Sequence, residues 1–193
     1  MHRISSRMSV PELCRAGIFT AVTALLSQIS VPLPFTPIPL SLGLAAVFLT
    51  GLLLAPRTAF LCQLCYLLLG AVGLPVYHSF QGGIGVLFGP TGGFLFAYPL
   101  AALGIALMVS MTERRSLRRS AAYAWITGAE LAATAVLYLI GTLWLQLLTG
   151  NSFLQALTAA VLPFIPLDMA KLVVCTSFAL PLRRHLRRTG LLQ

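Results

Sequence analysis

Two stretches govern what this chain can fold into: residues 16–56 and 58–112 contain no Asp, Glu, Lys or Arg, and only Arg57 separates them. A soluble domain needs about a quarter of its residues charged. Here 9% of 193 residues are charged and 58% are hydrophobic. So few ionic groups cannot cover a water-facing surface, and the chain reads as an integral membrane protein. Nothing in composition marks a second unit, so residues 1–193 read as one membrane domain.

A membrane-crossing helix takes about 20 apolar residues. Residues 16–56 hold two, broken by "VPLPFTPIPL". Residues 58–112 hold two more, parted by "GLPVYHSFQGGIGVLFGPTGG". After "ERRSLRRS" (113–120) comes a fifth, ended by "LTGNS", and the last runs to "RRHLRR". The expectation is an all-α bundle of six transmembrane helices, about 12–31, 39–55, 58–73, 91–112, 121–148 and 166–182. Residues 153–164 read either as an extension of the sixth span or as a separate outer helix. Pro163 and Pro166 favour the separate helix, because proline breaks a running helix but fits a first turn.

The charges fit this count. Arg3, Arg7 and Arg15 precede span one, and Arg57 lies between spans two and three. Arg114, Arg115, Arg118 and Arg119 lie between four and five; Arg183, Arg184, Arg187 and Arg188 follow six. All fall on one side, which the positive-inside rule makes cytoplasmic, with both termini. The net charge of +9 therefore reads as topological, and nucleic-acid binding is excluded. The apolar run after Arg15 has no A-x-A cleavage site and reads as a retained span rather than a signal peptide.

The loops of the other side are uncharged yet rich in Pro, Gly and aromatics. Non-helical backbone near membrane depth persists only when buried in protein or lining a cavity. A ligand pocket toward the extracellular side follows. Phe35 and Thr36 sit in the proline-stiffened turn. Gly83 and Thr91 belong to the glycine-rich loop, where glycine lets backbone approach a ligand. That loop lacks the G-K-[ST] end of a phosphate-binding loop. Gln81 is a neutral hydrogen-bonder there, and Tyr77, Tyr98, Tyr138 and Trp144 are candidate aromatic walls.

Asp168 and Lys171, in "PFIPLDMAKL", are the only charges between Glu130 and Arg183. They stand i, i+3 on one helix face, near a helix start that favours an anion. One reading is a helix-end acid with its salt-bridge mate. The other is functional, the default for ionisable groups inside a span: an acceptor and a donor that together read a ligand bearing N–H and C=O. Glu130 reads as a hydrogen-bonding partner within the bundle. Cys62 and Cys65 form a C-x-x-C inside an apolar helix and read as packing residues. His78 and His185 lack a metal-like set of partners, so no metal and no cofactor are expected. Gly17, Ala21 and Ala24 form a small-residue stripe that permits close helix packing, either inside the chain or against another membrane subunit.

"PLPFTPIPLSL", "YLLLGAVGLPVY", "GGIGVLFGPTGGFLFAY" and "LPFIPLDMAKL", in this order, resemble the BioY family, the biotin-specific substrate-binding (S) components of energy-coupling factor (ECF) transporters. "LYLIGTLWLQLLTG" fits as well. The resemblance implies that Asp168 and Lys171 hold the polar end of biotin: Asp168 accepting from a ureido N–H, Lys171 donating to the ureido carbonyl or neutralising the carboxylate. It also implies an asparagine contact from the third or fourth helix region. The only Asn here is Asn151, and Gln81 is the substitute considered. The stripe Gly17, Ala21, Ala24 resembles the surface that meets a transmembrane coupling subunit. The implied partners are biotin, that subunit, two ATP-binding-cassette ATPases that supply the hydrolysis, and the lipid of a prokaryotic plasma membrane. The rivals are an S component for another vitamin, an intramembrane enzyme using Asp168 and Lys171 as acid and base, and a purely structural membrane protein.

Overall fold

The computed structural model describes residues 9–34, 36–115 and 118–189. Arg3, Arg7 and Phe35 lie outside the described residues, as does the side chain of Arg119. The described residues form eight α-helices: α1 (Val10–Gln28), α2 (Gly43–Leu53), α3 (Pro56–Ala71), α4 (Ile84–Leu87), α5 (Gly92–Arg114), α6 (Arg119–Thr149), α7 (Phe153–Ala160) and α8 (Ile165–Arg188). Their ends follow local chemistry. Proline occupies the first turn of α1, α3 and α8, where its fixed φ is already helical and its missing N–H needs no partner. Glu12 accepts from the Ser9 N–H ahead of α1. Ser152 and Gln155 cap α7 reciprocally, the two-way capping that satisfies free N–H groups at a helix start. Gly150, at φ 70°, ends α6 in the left-handed region.

Among the described residues, four helices are long and apolar enough to cross a membrane: α1, α5, α6 over Ser120–Thr149, and α8. The second and third expected spans are shorter, at 11 residues in α2 and 16 in α3. The second loses its start because residues 40–41 form a strand. β1 (Ser30–Val31) pairs antiparallel with β2 (Leu40–Ser41), Ser30 opposite Ser41 and Val31 opposite Leu40. This closes the proline-rich residues 32–39 into a strap, since prolines can neither continue a helix nor donate to a ladder. Ten of the eleven residues of α2 are buried, packed among α1, α5 and α8. A helix apolar all round is a core helix. Residues 153–164 form the separate α7 and a following turn, and α8 continues beyond the expected residue 182 to carry the basic tail as helix.

Val47, Phe48 and Leu52 of α2, Ala102, Ile105 and Ala106 of α5 and Ala179 of α8 have no solvent exposure and share one core. The α5–α6 seam is closed by glycines. A Cβ on Gly93 would lie 2.3 Å from the Trp144 Cβ, and one on Gly141 the same distance from the Phe94 ring. These glycines make room for aromatic side chains of the neighbouring helix. At the arginine-rich end, Arg183 donates to Glu113 and to the Leu52 carbonyl, joining the ends of α8, α5 and α2. At the opposite end, Lys171 reaches the Ser41 carbonyl, and Ser30 meets Ser79 hydroxyl to hydroxyl at 3.0 Å.

Candidate ligand-binding site

Pro166 starts α8 so that Asp168 falls in its first turn and Lys171 one turn on. The Lys171 Nζ lies 2.7 Å from Asp168 Oδ1, and both side chains are below 10% exposed. Two further partners come from other elements. The Tyr138 hydroxyl of α6 donates to Asp168 Oδ2 at 2.5 Å. Lys171 also donates to the Ser41 carbonyl of β2 at 2.6 Å. A helix-end acid and its mate would need neither. The pair is a buried node tying α8 to α6 and to the strap.

This node forms one wall of a cavity whose enclosed volume is about 80 Å³. Tyr66 and Tyr98 stack with ring centroids 6.3 Å apart, and they line it together with Phe94 and Phe164. Polar groups at the wall are Ser27, Ser41, His78 and Thr91. His78 sits in a 3₁₀ turn, His78–Phe80. Its Nε2 is 3.4 Å from the Thr91 hydroxyl, and its Nδ1 is buried without a protein partner. Burial holds the imidazole pKa below its ordinary 6.5, because a low-dielectric site disfavours the cation.

Of the expected site residues, Asp168, Lys171, Tyr98, Tyr138 and Thr91 meet at this cavity. The other described ones stand off its wall, and Phe35 lies outside the described residues. Tyr77 is fully buried behind Tyr66, edge to face at 5.6 Å, and donates to the Leu67 carbonyl. Gln81 is exposed, pairing with Tyr77 through backbone. Gly83 adopts φ 96° ahead of α4 and donates to the Gly70 carbonyl. Thr36 lies in the strap and accepts from the Ile38 N–H. Trp144 donates to the Gly89 carbonyl. Sequence reasoning missed Ser27, Ser41, Tyr66, Phe94 and Phe164 as wall residues, and weighed His78 only as a metal ligand. Ser27 had a signal: it continues the polar stripe Thr20, Thr23 that, with Ala16, forms the buried face of α1.

Glu130 is fully buried and accepts from the Thr176 hydroxyl, bridging α6 and α8 below the Asp168 node. Cys62 is buried at the α1–α3 seam, where Thr20 donates to its carbonyl, while Cys65 is exposed. On α1, Gly17 and Ala21 are exposed and Ala24 is half-buried against the Tyr66 cluster.

The sequence matches the model of the BioY family over residues 2–188. The chain belongs to the BioY family. It is 36% identical over 173 residues to the biotin transporter BioY of Thermotoga maritima, covering 90% of this chain and 96% of that one. It is 38% identical over 164 residues to a probable biotin transporter BioY of Pyrococcus horikoshii, covering 85% and 91%. Its structure is similar to the crystal structure of the S-component for biotin from an ECF-type ABC transporter. The TM-score is 0.81 over 92% of this chain and 95% of that one, at 23% identity; at that identity the likeness is one of fold. Within this BioY-family fold, the 32–39 strap, α7 and the 78–83 turn all gather at the end of the bundle that holds the Asp168 node.

Proposed function

We propose that this chain is a biotin-binding S component, a membrane subunit that captures biotin on the extracellular side and delivers it inward with an ATP-driven ECF module. It is a transport subunit and not an enzyme. The observation that carries the reading is the Asp168–Lys171–Tyr138 node on the wall of an aromatic cavity in a chain of this family. An ammonium has three N–H donors; Asp168 and Ser41 take two, leaving one for a ligand carbonyl. An ionised carboxylate accepts about four hydrogen bonds, and Lys171 and Tyr138 use two. The node thus offers a free donor beside free acceptors, the complement of a cyclic urea with adjacent C=O and N–H. His78, at the wall where Gln81 is not, supplies the neutral polar contact that the family's asparagine would make. The stacked tyrosines and the phenylalanines suit the apolar rings.

In this reading α1, α2, α3, α5, α6 and α8 are the six spans, both termini are cytoplasmic, and the arginines face the cytoplasm of a prokaryotic plasma membrane. The exposed Gly17 and Ala21 meet the transmembrane coupling subunit, and two ATP-binding-cassette ATPases complete the module. The testing experiment is calorimetric titration of the purified chain in detergent. Biotin binds one to one and thiamine does not. No heat and no retained radiolabelled biotin would overturn the reading.

A further inference from the structure

The arginine-rich end contains a second, larger cavity of about 330 Å³ enclosed by α5, α6 and α8. Its construction is amphiphilic. Val109, Ile126 and Leu180, each at most 4% exposed, form its inner wall. Four guanidiniums on successive turns of α8, Arg183, Arg184, Arg187 and Arg188, form the other side. Arg183 and Arg187 stand one turn apart, as do Arg184 and Arg188, and all four border the cavity.

Among the described residues, one carboxylate opposes them. Glu113 takes Arg183 Nε at 2.8 Å and Arg187 at 2.7 Å. Arg183 is further fixed by donating to the Leu52 carbonyl at 2.7 Å, and Arg184 lies over the Tyr123 ring, 5.4 Å from its centroid. Arg184 and Arg188 have no carboxylate partner among the described residues. Four positive groups against one negative leave the cavity strongly cationic. Arg114 and Arg118 lie at the same end, exposed and off this cavity.

We infer that this cavity is a binding site for the phosphate of an anionic phospholipid, with the headgroup between the α8 arginines. Guanidinium forks match phosphate oxygens in pairs. Basic pockets between transmembrane helices are where anionic headgroups are held. In a membrane-embedded chain this end of the bundle lies beside lipid headgroups, which favours a lipid phosphate over a free anion. The inference rests on reading the chain as membrane-embedded and is independent of the biotin site, which lies at the other end of the bundle.

The test uses the full chain, purified and lipid-depleted in a neutral detergent. Phosphatidylglycerol, phosphatidylcholine or inorganic phosphate is added at matched concentration. Thermal unfolding and native mass spectrometry of retained lipid are the readouts. Phosphatidylglycerol raises the unfolding midpoint and stays bound one to one; phosphatidylcholine and inorganic phosphate do not. The double variant R184Q/R188Q loses about thirtyfold in phosphatidylglycerol affinity, at the contribution expected of two juxtamembrane arginines. R114Q/R118Q removes the same charge and keeps the response. A cooperative unfolding transition in R184Q/R188Q without lipid establishes that the variant is folded. Equal responses to the two lipids, a full response in R184Q/R188Q, or an equal loss in R114Q/R118Q would overturn the site. A full response to inorganic phosphate alone would overturn the lipid as its occupant.

Discussion

Asp168 is held from two directions, by Lys171 on its own helix and by Tyr138 on α6. Removing it strands both donors in a buried place. Asp168→Ala is therefore expected to weaken biotin binding by about 2–5 kcal/mol, much of that from the unpaired Lys171. Tyr138→Phe removes one hydrogen bond and leaves the ion pair, so it loses about 1 kcal/mol. Calorimetry distinguishes these; equal affinity in Asp168→Ala and the parent would return the pair to a structural role. His78 gives a pH prediction. Burial keeps its folded-state pKa below 6.5, so just below 6.5 the unfolded chain binds more protons than the folded one. Stability then rises with pH and is lost as pH falls through that window. The unfolding midpoint should fall as pH drops below about 6.5, and His78→Gln should flatten that fall. An unaltered slope in His78→Gln would show that His78 is not the group responsible. The residue-level part of the site was legible where charge made a residue conspicuous, as at Asp168 and Lys171. The aromatic walls were less so: Phe94 looks like an ordinary span residue, and Phe164 like part of the outer segment, until α5 and the start of α8 are packed.

Among the elements, the strap over residues 32–39 has the most consequence for binding. The cavity encloses about 80 Å³, whereas small-molecule pockets run to roughly 300–1,000 Å³. Ile38 and Pro39 of the strap line it, and Lys171 ties the base of the strap to α8. The strap is thus the element whose lifting is expected to admit biotin. Ser30 and Ser79 meet at 3.0 Å between hydroxyls, joining β1 to the His78–Phe80 turn. A Ser30→Cys/Ser79→Cys pair, with the exposed Cys14 and Cys65 changed to serine, should form a disulfide that pins the strap. Oxidised protein is expected to bind biotin at least about tenfold more slowly than reduced protein, because the competent state becomes rarer. Stopped-flow association with and without reductant measures it, and identical rates would mean the strap is not the gate. The helices of the bundle were readable because proline, serine and glycine mark their ends locally. The β1–β2 pair was not. Two-residue strands carry no periodic pattern, and their pairing depends on α1 and α2 bringing Ser30 opposite Ser41. The shortness of α2 escaped notice for a related reason: an apolar run does not reveal whether lipid or protein surrounds it.

At the scale of the whole molecule, the sequence conveyed that arginines gather at one end of the helices, where Arg183 of α8 meets Glu113 of α5 and the Leu52 carbonyl of α2. Topogenic arginines act through their position along the chain, so no packing had to be known to sort them. Which face of a helix is left for a partner does depend on packing. The stripe Gly17, Ala21, Ala24 is split by the fold, with Ala24 turned toward the Tyr66 cluster and the other two facing outward. Opposite them, Ala16, Thr20, Thr23 and Ser27 form the buried face, and Ser27 accepts from Tyr66 at the cavity. One helix thus presents a wall to the ligand on one side and a smooth strip on the other. Close helix contact requires small residues on that strip, so Ala21→Trp should separate the chain from a co-expressed coupling module, with a loss of about 1–3 kcal/mol or more in the interface. Biotin affinity should remain unchanged, because Ala21 does not line the cavity. Gly17→Leu offers a second probe, since a Cβ there meets nothing within 4 Å and the added side chain projects outward without disturbing the bundle. Copurification measures assembly and titration measures binding on the same preparations. Assembly lost with binding retained in both variants assigns the docking face to α1; assembly retained in both moves the coupling subunit to another helix.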